Sequence, residues 1–168
     1  MELPIILSIF TTTAIVAGGI FAGVQLLHLK RQRERESAIH LLHSFQTPEF
    51  LEGVDIVFNL PEGLSKKQVE ERLGDKMICI LVLFGTFESL AILIIRKELD
   101  IRLVEDFFSG IIILSWKKFK NYITEMRALS NRETYYEWVQ WLSEQLEKRE
   151  MKVPAVPAYE MWKDWEGS

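Results

Sequence analysis

From Leu3 to Leu29 the chain carries no Asp, Glu, Lys or Arg, an uncharged run of 27 residues. A helix needs roughly 20 apolar residues to cross the hydrocarbon core of a bilayer. The run therefore predicts a transmembrane helix over residues 1–29. A cleaved signal peptide would want a basic start, a shorter apolar region and a small-residue cleavage site. This chain begins Met1-Glu2, and its apolar run ends directly in charge, so the anchor is expected to be retained.

Lys30, Arg31, Arg33 and Arg35 follow at once. Basic residues just beyond a span stay in the cytoplasm. The expectation is a single-pass protein of the cell's inner (cytoplasmic) membrane, N-terminus outside and the remainder cytoplasmic. The same four side chains are candidate headgroup contacts, since anionic lipids attract juxtamembrane cations. Membrane lipid is thus the first expected partner.

The span is uneven around its circumference. At about 100° per residue, Thr11, Ala14, Gly18, Ala22 and Gln25 share one face, with Thr12, Gly19 and Gly23 beside it. Ile9, Val16, Ile20, Val24 and Leu27 lie opposite. Small residues let helix backbones approach closely, and hydroxyls and amides bond across the contact. Gly19 and Gly23 form a GxxxG pair within this face. Helix packing is the expected use of the face. A pore lining is the alternative, though no charged ring supports it.

Beyond the span the composition fits one helical domain. About 139 residues remain, enough for one hydrophobic core. The formal net charge is −4. That balance excludes nucleic acid as an expected partner, because such binders need a basic face to displace counterions. The one cysteine, Cys79, permits no intrachain disulfide, in keeping with a reducing compartment.

Helix punctuation divides the rest. Residues 30–46 read as a basic juxtamembrane helix extension and residues 47–150 as a multi-helix bundle. Thr47-Pro48-Glu49 is an N-cap, a proline at the first helical position and an acid in the first turn. Ser65 to Gln68 is a capping box. Met77 to Ile95 is nearly continuous apolar sequence and reads as the central helix of the bundle. As a second span it would place Glu88 in mid-membrane, at a cost of about 3 kcal/mol or more. Asp100 caps the next helix, which carries Val104, Phe108, Ile111, Phe119 and Tyr122 at helical spacing. Ser130 to Glu133 is a further capping box, expected to open the last helix. Residues 151–168 read as an extended aromatic tail, because Pro154 and Pro157 oppose a regular helix. Tyr159, Trp162 and Trp165 make it a candidate docking segment. Packing of those aromatics back onto the bundle is the plainer reading. No strand-like alternation competes, so the fold class is all-α: one N-terminal transmembrane helix and a cytoplasmic multi-helix bundle.

From Leu83 onward the order Leu83-Phe84, Phe87-Glu88, Arg96, Leu99-Asp100 and Leu103-Val104 leads to Trp116, Ile123, Arg127, Tyr135 and Trp138. This pattern resembles a family catalogued as domain of unknown function number 4760, found in prokaryotic membrane-anchored proteins. The resemblance implies a span followed by a helical core, and it implies no activity. Lys97-Glu98 departs from the pattern, for family members often carry a glycine before the Leu-Asp turn.

Candidate chemistry is sparse. Glu88 sits in an apolar helix, where a carboxylate must be paired, protonated or partly wet. An ion pair with Arg96, Arg102 or Arg127 is the expected solution, in preference to a general acid or base. His40 and His43 stand three apart but lack further ligands for a metal. Cys79 reads as a buried, inert thiol. Gly18-Gly19 and Gly23 lack the Lys-Ser/Thr of a phosphate cradle. Lys117, Lys118 and Lys120 read as a solvated helix edge. No cofactor and no metal is expected. These readings converge on a non-enzymatic membrane-anchored assembly or accessory subunit, partnered by itself or by a larger membrane protein complex. The alternative is a homo-oligomeric channel or transport component lined by the Thr11–Gln25 face.

Overall fold

The computed structural model describes residues 18–26, 28, 29, 32, 45, 47–152 and 156–166. The chain divides into two units, residues 1–43 and 44–168. In the first, residues 18–26 are helical and exposed. Thr11, Ala14, Lys30, Arg31, Arg33 and Arg35 lie outside the described residues, and with them most of the expected span and its basic flank.

The second unit is all-α among its described residues. Its elements are α1 (Pro48–Asn59), α2 (Lys66–Leu73), a 3-10 turn (Gly74–Lys76), α3 (Met77–Ile95), α4 (Ile101–Ser130), α5 (Glu137–Lys152) and α6 (Ala158–Met161). Local chemistry starts the early helices. Thr47 Oγ1 accepts the Phe50 N–H at 3.2 Å. Ser65 and Gln68 complete the reciprocal capping box before α2. Asp100 accepts the Arg102 N–H at 2.9 Å and opens α4. The loop between α1 and α2 is tied to α4, where Lys118 donates to the Leu60 carbonyl and Asn121 to that of Gly63 at 3.1 Å.

α3 ends in a Schellman motif. The Glu98 N–H reaches the Leu93 carbonyl at 2.9 Å and the Lys97 N–H that of Ile94 at 2.9 Å. Lys97 is left-handed, with φ of 59°. That conformation is the natural place of a glycine. The departure from the family pattern at Lys97-Glu98 therefore falls on the residue that bears the turn, and the turn forms nonetheless.

α3 is the centre of the bundle, packed by α1 and α5, while α4 packs against α5, α1 and α2. Phe84, Phe87, Phe119, Leu83, Leu142 and Leu146 are almost fully buried. Each such side chain contributes about 1.5–3 kcal/mol on leaving water. Phe84 meets Phe119 with ring centres 5.4 Å apart, and Phe50 meets Phe87 edge-on at 6.2 Å. α1 crosses α3 closely at Gly53, where a β-carbon would stand 2.7 Å from the Cys79 carbonyl oxygen.

Two expectations need correction. Ser130 does not open the last helix. It lies in the final turn of α4 and its hydroxyl bonds back to the Met126 carbonyl at 2.7 Å. That hydroxyl is spent on the preceding turn, and Asn131, left-handed at φ of 51°, closes α4 with its N–H on the Arg127 carbonyl. The tail is not extended throughout, for α5 runs on to Lys152 and Pro157 precedes the single helical turn of α6. A proline ring held near φ of −65° suits a helix start, which explains that turn.

Candidate functional site

Of the predicted packing face, Gly18, Gly19, Ala22, Gly23 and Gln25 fall within the described residues, all helical and all exposed. A β-carbon placed on Gly18, Gly19 or Gly23 would meet nothing within 4 Å. Large apolar side chains stand around them, with Ile20 at 65% and Phe21 at 64% exposure. The arrangement is a bare backbone groove between apolar ridges, which is the shape that admits a second helix.

In the bundle, Glu88 projects from α3 toward the start of α5. The expected ion pair is replaced by a different device. Glu88 Oε1 accepts the Val139 N–H at 2.9 Å, in the first turn of α5. The first N–H groups of a helix have no partner within it. A carboxylate suits that end of the helix dipole. α5 is thus capped from another helix. Tyr136, just before α5, is itself left-handed at φ of 53°, and its ring packs on Phe84 at 5.1 Å. Burial pushes the Glu88 carboxyl up, opposed by the Val139 and Trp138 N–H groups and by the charge of Arg127. Arg102 is engaged elsewhere, 2.6 Å from Asp100, and holds that carboxyl down to about 2.

Arg127 joins α4 to the same junction. Its Nε donates to the Tyr135 carbonyl at 2.9 Å and its Nη1 to Gln140 Oε1 at 2.8 Å. Its guanidinium lies 5.9 Å from the centre of the Trp116 ring, within cation–π range. Glu88, Arg127, Trp116 and Gln140 therefore lock three helices together. The junction joins α3, α4 and α5 through a carboxylate, a guanidinium and an amide, and it acts as a clasp between them. Sequence reading found Glu88 and missed its partner, because a backbone N–H leaves no mark in a residue pattern.

The remaining candidates separate cleanly. Tyr159, Trp162 and Trp165 are 76%, 61% and 70% exposed, so the tail aromatics stand clear of the bundle. Cys79 is buried with its thiol 3.5 Å from Glu52, and burial pushes it up, away from the reactive thiolate. Lys117 pairs with Glu147 at 3.8 Å, and Lys118 is bound to Leu60. Two of the three lysines of the basic patch are thus engaged within the bundle. Among the described residues no three of His, Cys, Asp and Glu gather as metal ligands. His40 and His43 lie outside the described residues. One helical stretch among them, Lys66–Ile95, is long and apolar enough to cross a membrane by length and composition. Its apolar part is α3, whose inner faces are covered by α1 and α5.

The family described as Domain of unknown function (DUF4760) matches residues 12–146. The match takes in part of the uncharged N-terminal run as well as the bundle. No curated protein and no solved structure matches the chain.

Proposed function

The chain belongs to the family of the Domain of unknown function (DUF4760), and we propose that it is a non-enzymatic, membrane-anchored assembly subunit. The observation that carries the reading is the open helical face at Gly18, Gly19 and Gly23. These glycines leave backbone exposed between large apolar side chains, with nothing within 4 Å to fill the space. An anchor alone needs no such face, whereas a helix that packs on another does. The uncharged run from Leu3 to Leu29 supports insertion, and Lys30, Arg31, Arg33 and Arg35 support an outside N-terminus and a cytoplasmic bundle at the inner membrane. The exposed Tyr159, Trp162 and Trp165 support a second point of attachment to a partner of the complex.

The test is native mass spectrometry on full-length protein extracted gently from its own membranes. Gly19→Leu/Gly23→Leu is expected to remove the oligomeric mass while alkaline extraction still finds the chain inserted. Leucine keeps the span apolar and fills only the groove. An oligomer that survives the double change overturns this reading.

A further inference from the structure

α3 leaves one face uncovered. Ile78 is 54% exposed and Leu81 41%, Gly85 and Ser89 are exposed, and Val82 and Ile92 are half-buried. Ile78, Val82, Gly85, Ser89 and Ile92 follow one another at spacings of four and three, the repeat of a helix seam that packs on a second helix. The one charged side chain within α3, Glu88, is turned to α5, so this face carries no charge over the 19 residues of the helix. Its hydroxyl is already satisfied, for Ser89 Oγ donates to the Gly85 carbonyl at 2.9 Å. A β-carbon on Gly85 would meet nothing within 4 Å.

The face has a centre. Ile78 and Ile92 lie seven residues to either side of Gly85, and Leu81 and Ser89 four. Beyond the two ends stand exposed charges of opposite net sign, Asp75 before the helix and Arg96, Lys97 and Glu98 after it. None of these four has an ion pair among the described residues, unlike neighbouring Lys76, which is 2.7 Å from Glu52. We infer that this face is a self-association surface, on which a second copy of the chain lays the same face antiparallel about Gly85. The inference rests on the assembly reading for its premise that copies meet, and names the bundle surface by which they do.

The physical case is complementarity under a two-fold axis. Antiparallel pairing brings Ile78 onto the second copy's Ile92 and Leu81 onto its Ser89, so apolar meets apolar at the ends and large faces small nearer the axis. Asp75 of each copy comes opposite Arg96 and Lys97 of the other. A parallel pair would set those like charges together. Antiparallel helices also set their dipoles head to tail. At the axis, Gly85 presents no side chain, so the backbones close to the distance that small residues allow. Such a contact is isologous and closed, giving a dimer and no filament.

Cysteine crosslinking of the full-length protein in its own membranes, in a Cys79→Ala background, tests the register. Gly85→Cys is expected to give a covalent dimer on mild oxidation. Separately tagged Ile78→Cys and Ile92→Cys chains are expected to crosslink to each other and not to themselves. Crosslinking of Ile78→Cys to itself would overturn the inference in favour of a parallel pair. A Gly85→Cys thiol that reacts with a water-soluble maleimide and gives no dimer would overturn it too. So would one shielded from that reagent and quenched by brominated lipid, which would put the face against the bilayer. Gly85→Arg, projecting into open space, is expected to leave the melting temperature unchanged and to lower the dimeric fraction about tenfold, equivalent to about 1.4 kcal/mol. The two readings fail separately. An oligomer sensitive to Gly19→Leu/Gly23→Leu and indifferent to Gly85→Arg sinks the α3 surface and leaves the span standing. Sensitivity to Gly85→Arg supports the α3 surface whatever the span does.

Discussion

Glu88 meets two opposed demands. Burial in an apolar helix disfavours its charge, and the first turn of α5 attracts it. The first demand is the larger, so the carboxyl is raised. A carboxyl raised in the folded state gives stability that is fully present below its unfolded value and is lost as pH rises through the folded one. The ionised form is therefore the less stable at neutral pH. Glu88→Gln keeps an oxygen for the Val139 N–H and removes the charge. It is expected to match or exceed the wild type at pH 7, with its advantage shrinking as pH falls toward 4.5, the ordinary carboxyl value. Glu88→Ala removes the acceptor and is expected to cost about 1 kcal/mol at either pH. Melting curves of the detergent-solubilised full chain between pH 4 and pH 8 check both. A wild type that gains on the glutamine variant as pH rises would show the charge to be stabilising. Lys97 illustrates the same scale differently. The family pattern marked its position as unusual, and the structure places a left-handed backbone there, with φ of 59°.

Among elements, those with local punctuation were legible and those without were not. Thr47, Ser65 and Asp100 each cap a helix through a residue two or three positions on, a distance that a linear reading covers. α5 receives its cap from Glu88, 51 positions earlier, so no local rule finds its start. Ser130 and Glu133 satisfied the spacing of a capping box, yet the Ser130 hydroxyl bonds back to the Met126 carbonyl and the helix runs through it to Asn131. The small-residue face was legible as spacing, and its described half, Gly18 to Gln25, is helical and open. The outer face of α3 was not, because a continuous apolar run has no periodicity and only the packing of α1, α4 and α5 decides which side is covered. The same contact sets the tolerance of α1. Gly53→Ala would place a methyl group 2.7 Å from the Cys79 carbonyl and 3.2 Å from the Leu83 β-carbon. Backbone has to move to admit it, so the change is expected to destabilise the bundle by roughly 1–3 kcal/mol, readable as a lowered melting temperature. An unchanged melting temperature would mean that α1 and α3 are not in contact there.

At the scale of the molecule, the chain is two units and a tail with different obligations. The bundle's buried side chains run from Phe45 to Leu146. The described residues of the tail contribute none of them. Ending the chain after Lys152 is accordingly expected to change stability by no more than about 0.5 kcal/mol. If Tyr159, Trp162 and Trp165 bind a partner, the same truncation removes that partner from the purified complex, and retention of every partner would deny them the role. The clasp between α3 and α5 has a consequence in time. Synthesis delivers α3 before α5, so Glu88 waits for 51 further residues to be made before Val139 exists to meet it. Until then Phe84 lacks the ring of Tyr136 and α3 lacks the cover of α5, so the nascent domain has no finished core to settle into. Closure of the bundle thus waits for α5 to be made. A chain interrupted before Leu146 is expected to lack that cover, and to be cut by added protease under conditions in which the full chain resists it.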